Sequence, residues 1–216
     1  MTSTNMKNKY ISDELLAAFL EGNVNEEEMA QVISTAKSDA QLREVLNVAL
    51  KMEDESLPIL QMAAEGGRNL CDIQCEAYVL QHQDIEATEE SLFEIAKDNH
   101  WLRRAGTPLY CIGNLLAYKG LEVERQFNSS LDDIERALNK GWGLIAAVDS
   151  DKLYPGRPDE EDATNHAVVV SAIDNNKETI TIYDPENTVE LDIKTPLFLA
   201  AWKESRFYLV TARKKK

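Results

Sequence analysis

The sequence predicts an α+β fold preceded by a small helical segment. Apolar residues recur at helical spacing through residues 12–49 and 71–120. From residue 121 onward the apolar runs alternate or are continuous, as strands require. Helices first and strands afterwards is the order of an α+β domain with a mostly antiparallel sheet, not of repeated βαβ units. Charge and proline in Lys51–Pro58 interrupt the pattern and read as a linker. The expected division is a helical N-terminal segment, 1–55, and a main domain, 56–216.

Each element has a local cause. Ser12 caps a first helix, and Asp13 and Glu14 lie in its first turn, where the helix dipole favours negative charge. Leu15, Leu16, Phe19 and Leu20 form its apolar stripe. Asn25 with Glu28 is a capping box for a second helix. Ser38 with Gln41 repeats that signature for a third. These helices are too small to bury much core alone, so they are expected to dock on the main domain or to bind a partner protein. In the main domain a helix is expected from Cys71 to about Gln83, and Thr88 caps the next. Thr107-Pro108 opens a third in cap-then-proline order, ending at Gly120. Strands follow at 121–127, 143–149, 166–173, 179–184, 189–193 and 207–211. Short helices are expected from Ser130 to Gly141 and around Leu197, Phe198 and Trp202.

The bulk numbers narrow the function. A formal net charge of −15 over 216 residues argues against a nucleic-acid surface, which needs clustered Lys and Arg. No apolar run approaches the ~20 residues of a membrane span, and residues 1–10 have no apolar core of a signal peptide. A cytoplasmic protein without membrane attachment is the expectation. Three cysteines in such a chain read as reduced thiols. Cys71 and Cys75, with His82, His100 and His166, do not make the ligand set of a structural zinc site, so neither metal nor cofactor is expected.

Three residues could carry chemistry together. Cys71 opens a helix, a position whose dipole favours thiolate, and Gly66-Gly67 just before it allows a sharp turn. His166 opens the buried run His166-Ala-Val-Val-Val170 and would sit on a rigid strand. If the strands at 166–173 and 179–184 form an antiparallel hairpin, Asp184 ends near the level where His166 begins. Pro185 stops the strand there. A thiol, an imidazole and an orienting acid form a catalytic triad. Cys75 and Cys111 read as small buried hydrophobes.

The segments Cys71-Asp-Ile-Gln-Cys75-Glu-Ala-Tyr-Val-Leu80, Asn165-His166-Ala-Val-Val-Val170 and Tyr183-Asp184-Pro185 resemble the papain-like cysteine peptidase superfamily. Within it they look most like the double-glycine peptidases that trim bacteriocin leaders. The resemblance covers roughly residues 60–212 and implies a papain-like fold. It implies Cys71 as nucleophile, His166 as general base and acid, and Asp184 as orienting acid. Two departures stand out. The family usually places a Gln six residues before the nucleophile to donate into the oxyanion hole, and here that position is Glu65. Gln61, or less favourably Gln74, could substitute. The glycine after the nucleophile is Asp72, an acid beside the thiol. Residues 11–28 resemble the helical start of anti-sigma-factor zinc-binding domains, without their metal ligands.

The resemblance implies hydrolysis of a peptide or isopeptide bond in a peptide or protein substrate. Two other readings stay open: a catalytically inactive papain-like module that binds peptides or a regulatory partner, and acyl transfer to an amine by the same triad. The acidic loop Tyr154–Ala163 before His166 predicts a preference for basic or neutral substrate residues.

Overall fold

The computed structural model describes residues 11–21, 24–39, 41–42, 45–46, 70–102, 106–154 and 166–215. The chain divides into two compact units, Met1–Ser56 and Leu57–Lys216. In the first unit, α1 (Asp13–Glu21) begins at Ser12, whose Oγ accepts from the Leu15 N–H at 3.2 Å. Helix α2 (Glu26–Ser38) has the capping box at Asn25 and Glu28. Phe19, Val24, Val32 and Leu46 are buried. Ser38 does not cap a third helix, because α2 runs through it. Asp39 does the local capping, its Oδ1 accepting from the N–H groups of Gln41 and Leu42.

The second unit is built on a six-stranded sheet with every neighbouring pair antiparallel and the strand order β1-β6-β2-β3-β4-β5. The strands are β1 (Glu122–Gln126), β2 (Gly143–Val148), β3 (His166–Asp174), β4 (Thr179–Asp184), β5 (Val189–Lys194) and β6 (Leu209–Arg213). Helices cover both faces. On one lie α3 (Cys71–His82), α4 (Glu89–Asp98) and α5 (Asn114–Tyr118). On the other lie α6 (Leu131–Leu138) and α8 (Thr195–Lys203), with the one-turn α7 (Ser150–Leu153) beside α8.

Strand β2 shows why the centre of the sheet reads as a continuous apolar run. Ile145 and Ala147 enter the core under α3, while Leu144, Ala146 and Val148 enter the core under α6 and α8. Phe198, Ala201 and Trp202 of α8 are fully enclosed there, and the Trp202 indole N–H donates to the Tyr208 carbonyl at 2.8 Å. The edge strand β1 is charged, which discourages further strand pairing. Glu122 and Glu124 of β1 both bond Arg213 of β6.

Two details depart from the sequence reading. The helix expected from Thr107 to Gly120 is broken into a single 3₁₀ turn, Leu109–Cys111, and α5. Gly113 makes the break: its φ of +86° is left-handed, and a Cβ there would stand 2.8 Å from Val210 Cγ1. The β3–β4 hairpin also carries a bulge at Ser171. Towards the turn Ala172 pairs with Thr181, but beyond the bulge Val170 pairs with Ile182 and Val169 with Tyr183.

Gly143 determines how closely α3 can approach the sheet. A Cβ at this position would lie 2.4 Å from Val79 Cγ1. Gly143→Ala is expected to lower unfolding free energy by about 1–3 kcal/mol, the usual range for overpacking a core. Urea denaturation checks this, and an unchanged midpoint would contradict the close seating of α3.

Candidate active site

The first turn of α3 meets the sheet where β3 begins. Cys71 is the first residue of α3 and is partly exposed. One turn later, Cys75 is fully buried and its Sγ donates to the Ala167 carbonyl of β3 at 3.3 Å. This contact places the start of the helix beside the start of the strand. The thiol of Cys71 is close enough to the His166 ring to raise the pKa of the imidazole. The other side of that ring is held by Asp184, with His166 Nε2 2.8 Å from Asp184 Oδ1. Nδ1 is therefore the nitrogen left for the thiol. The three residues singled out in the sequence are brought together.

The His–Asp contact depends on the bulge. Side chains along a strand alternate between faces, so a shift of one residue moves every partner to the opposite face. Continued past Val170 without the bulge, the turn-side register would set Asp184 opposite Val169. With the bulge, Asp184 falls opposite Val168, on the face that His166 shares by alternation. The bond is thus a diagonal cross-strand contact, not the level pairing expected from a simple hairpin.

Asp184 is fully buried and receives several donors. The Glu186 N–H donates to Oδ1 at 2.9 Å, and Asn187 Nδ2 donates to Oδ2 at 2.9 Å. The Tyr154 hydroxyl also donates to Oδ2. Burial alone would raise the Asp184 pKa, but the His166 hydrogen bond and charge, with the Tyr154 and Glu186 donors, bring it down to about 2. Burial opposes the charged form of His166, yet hydrogen bonds to Asp184 and Cys71 and the charges of both outweigh it, and its pKa is raised to about 10. Tyr154 and Asn187 were not singled out in the sequence. The one available signal was the run Asp184-Pro-Glu-Asn187, whose short polar side chains fold back on their own backbone in turns.

Cys75 and Cys111 are buried, and burial followed by the nearby Cys71 and acidic charges pushes the Cys75 thiol well up. Asp72 does not face solvent beside the thiol as a first-turn acid would. It is 3% exposed and turned inward, and burial raises its pKa to about 6. Gln74 points away along α3, its Nε2 reaching Glu89 at 3.4 Å. Gln61, Glu65, Gly66-Gly67, Asn165 and the loop from residue 155 to 165 lie outside the described residues. A groove of about 910 Å³ beside α3 is lined by Tyr78 and Tyr183 together with Asp84, Glu86, Glu89 and Lys119. Tyr78 stacks between His82 and Tyr183 at 4.0 Å from each.

The family model for the Peptidase_C39 like family matches residues 53–210. The chain belongs to that family. Its fold is the papain-like one of C39 peptidase domains. It is similar to the peptidase domain of Streptococcus ComA, a bi-functional ABC transporter involved in a quorum-sensing pathway, with 16% identity and a TM-score of 0.50 over 68% of this chain and 93% of that one. It is also similar to a putative C39-like peptidase from Bacillus anthracis, with 13% identity and a TM-score of 0.50 over 68% of this chain and 90% of that one. No curated protein matches. Among the described residues no helix is long and apolar enough to cross a membrane.

The C39-like hairpin carries a pH dependence with two limbs. His166 has its pKa raised to about 10, so its stabilising contribution is complete below its unfolded value and fades as pH rises through about 10. Asp184 has its pKa lowered to about 2, so its contribution is complete above its unfolded value and fades as pH falls through about 2. Asp184→Asn should remove the acid limb and shrink the alkaline one, read from urea titrations at several pH values. Unchanged limbs would show that the pair does not couple to folding.

Proposed function

We propose that this protein is a cysteine peptidase in which Cys71 attacks, His166 transfers the proton and Asp184 orients the imidazole. The observation that carries this reading is the placement of a partly exposed thiol at a helix start against a histidine whose far nitrogen is held by a buried carboxylate.

The Cys71 sulfur adds to the peptide carbonyl carbon and the carbonyl oxygen takes the negative charge. The thiol proton passes to His166 Nδ1, so the imidazolium is held between Asp184 and the reacting atoms. His166 then gives this proton to the leaving nitrogen, the C–N bond breaks and a thioester remains. Water attacks the thioester carbon, His166 takes its proton, the C–S bond breaks, and the carboxylic product leaves as the thiol is restored. Backbone N–H groups of the first turn of α3, which have no intrahelical acceptor, supply oxyanion stabilisation in this reading. Gln74 is engaged with Glu89 and is assigned no part in it.

A thiol-directed activity probe should label Cys71 in the wild type, and labelling should fall by about 100- to 10,000-fold in His166→Ala, the usual range for a positioned base. Equal labelling of wild type and His166→Ala would defeat the peptidase reading and leave a peptide-binding module of the same fold. In the groove beside α3, Asp84, Glu86 and Glu89 outnumber Lys119, which supports a preference for peptides with basic residues. Competing basic and acidic peptide libraries test this, and equal cleavage of both would overturn it.

A further inference from the structure

Directly behind Cys71, two acids are buried together. Asp72 and Glu76 stand one helical turn apart on α3 and are 3% and 0% exposed. Their carboxyls lie within hydrogen-bonding reach of each other. Glu76 reaches across to the broken helix: its Oε1 accepts from the Gly113 N–H at 3.1 Å and its Oε2 from the Leu116 N–H at 2.7 Å. The Thr107 side chain bonds Asp72. Asp72 Oδ1 is enclosed and has no N–H or hydroxyl donor among the described residues. A buried oxygen of this kind needs a donor.

We propose that Asp72 and Glu76 share a single proton, and that this one-proton carboxyl pair holds the first turn of α3, and with it Cys71, against the segment from Thr107 to Leu116. Two adjacent carboxylates in a buried site cannot both ionise, so a proton is retained between them. Burial and the Asp72 charge keep Glu76 protonated, outweighing the Leu116 and Gly113 N–H groups that favour its charged form. Burial raises Asp72 less far, because the Glu76 and Thr107 hydrogen bonds and the Arg125 charge oppose it. Glu76 therefore donates and Asp72 accepts. The groups facing the pair are Cys75 on α3 itself, Arg125 from β1, and the Thr107 hydroxyl with two N–H groups from the segment before and within α5. Arg125 is anchored independently, donating to the Ile112 carbonyl at 2.8 Å and to Asn114 Oδ1 at 2.6 Å. Asp72 and Glu76 touch no reacting atom in this scheme and are positioning residues. Their effect on chemistry rests on Cys71 being the nucleophile, whereas the existence of the pair does not.

Three variants and three readouts test the pair. The infrared spectrum of the wild type at neutral pH should show the C=O stretch of a protonated buried carboxyl, and Glu76→Gln should remove it. Absence of the band in the wild type overturns the proposal. Exchange of the Gly113 and Leu116 amides, corrected for intrinsic rates, should be protected in the wild type and at least about tenfold faster for one of them in Glu76→Gln, because the amide side chain has a single acceptor oxygen. Unchanged protection overturns it.

Asp72→Asn is the conservative rescue. Its amide donates to an ionised Glu76 without needing a shared proton. Cys71 alkylation in Asp72→Asn should stay within about threefold of wild type near neutral pH, then gain on the wild type by about tenfold at the alkaline pH where the wild-type infrared band disappears and the pair loses its proton. Parallel profiles for the two proteins overturn the positioning role. His166→Ala should slow alkylation at every pH without touching the infrared band or amide protection, which separates failure of the peptidase reading from failure of the pair.

Discussion

The close contact between α3 and the sheet is the constraint on which the rest of the second unit depends. Cys71, the first residue of α3, meets His166 only if the start of that helix arrives beside the start of β3. Here the approach is set by a missing side chain: Gly143 leaves the space that Val79 fills. Cys75 then reaches the Ala167 carbonyl, and the helix start is fixed against β3. The hydrophobic core under α3, from Ile73 and Leu80 to Ile145 and Val169, supplies the stabilisation that keeps it there. The charged groups of the site stand at the margin of that core and are oriented by it.

Within this frame the acids have separate environments. Asp184 receives donors from a histidine, a tyrosine, an asparagine amide and a backbone N–H, so it stays ionised despite full burial. Asp72 and Glu76 face each other with fewer donors than two charges would need, so burial pushes both upward. Carboxyl groups that are all buried thus have their pKa values pushed in opposite directions, because their hydrogen-bond donors differ in number and charge.

Much of this was legible in the sequence, and the reasons differ by element. Strands β2, β3 and β4 announce themselves through apolar runs bounded by turn residues, and the capping box at Asn25 needs only local spacing. Cys71, His166 and Asp184 could be picked out because each stands at an element end beside a strong apolar pattern. The break at Gly113 was not legible, since a cap-then-proline start at Thr107-Pro108 is a good local helix signal, and the partners that meet Gly113 in its left-handed conformation, Val210 and Glu76, are distant in sequence. Tyr154 was missed for a related reason: its role comes from tertiary proximity to Asp184, which no spacing encodes, whereas Asn187 is a local turn contact three residues on. The inward turn of Asp72 belongs to the same class, because a first-turn acid is ordinarily read as solvent-facing.

The bulge at Ser171 divides the β3–β4 hairpin into two halves that keep different counts. On the site side, the alignment of β3 is held by β2, and that of β4 by β5, through unbroken ladders. On the tip side, Asp174 and Thr179 close the turn in their own alignment. The extra residue absorbs the mismatch between them. The tip is thereby decoupled from the site, so changes in the length or composition of the turn at 175–178 can be taken up at Ser171 without rotating Asp184 away from His166.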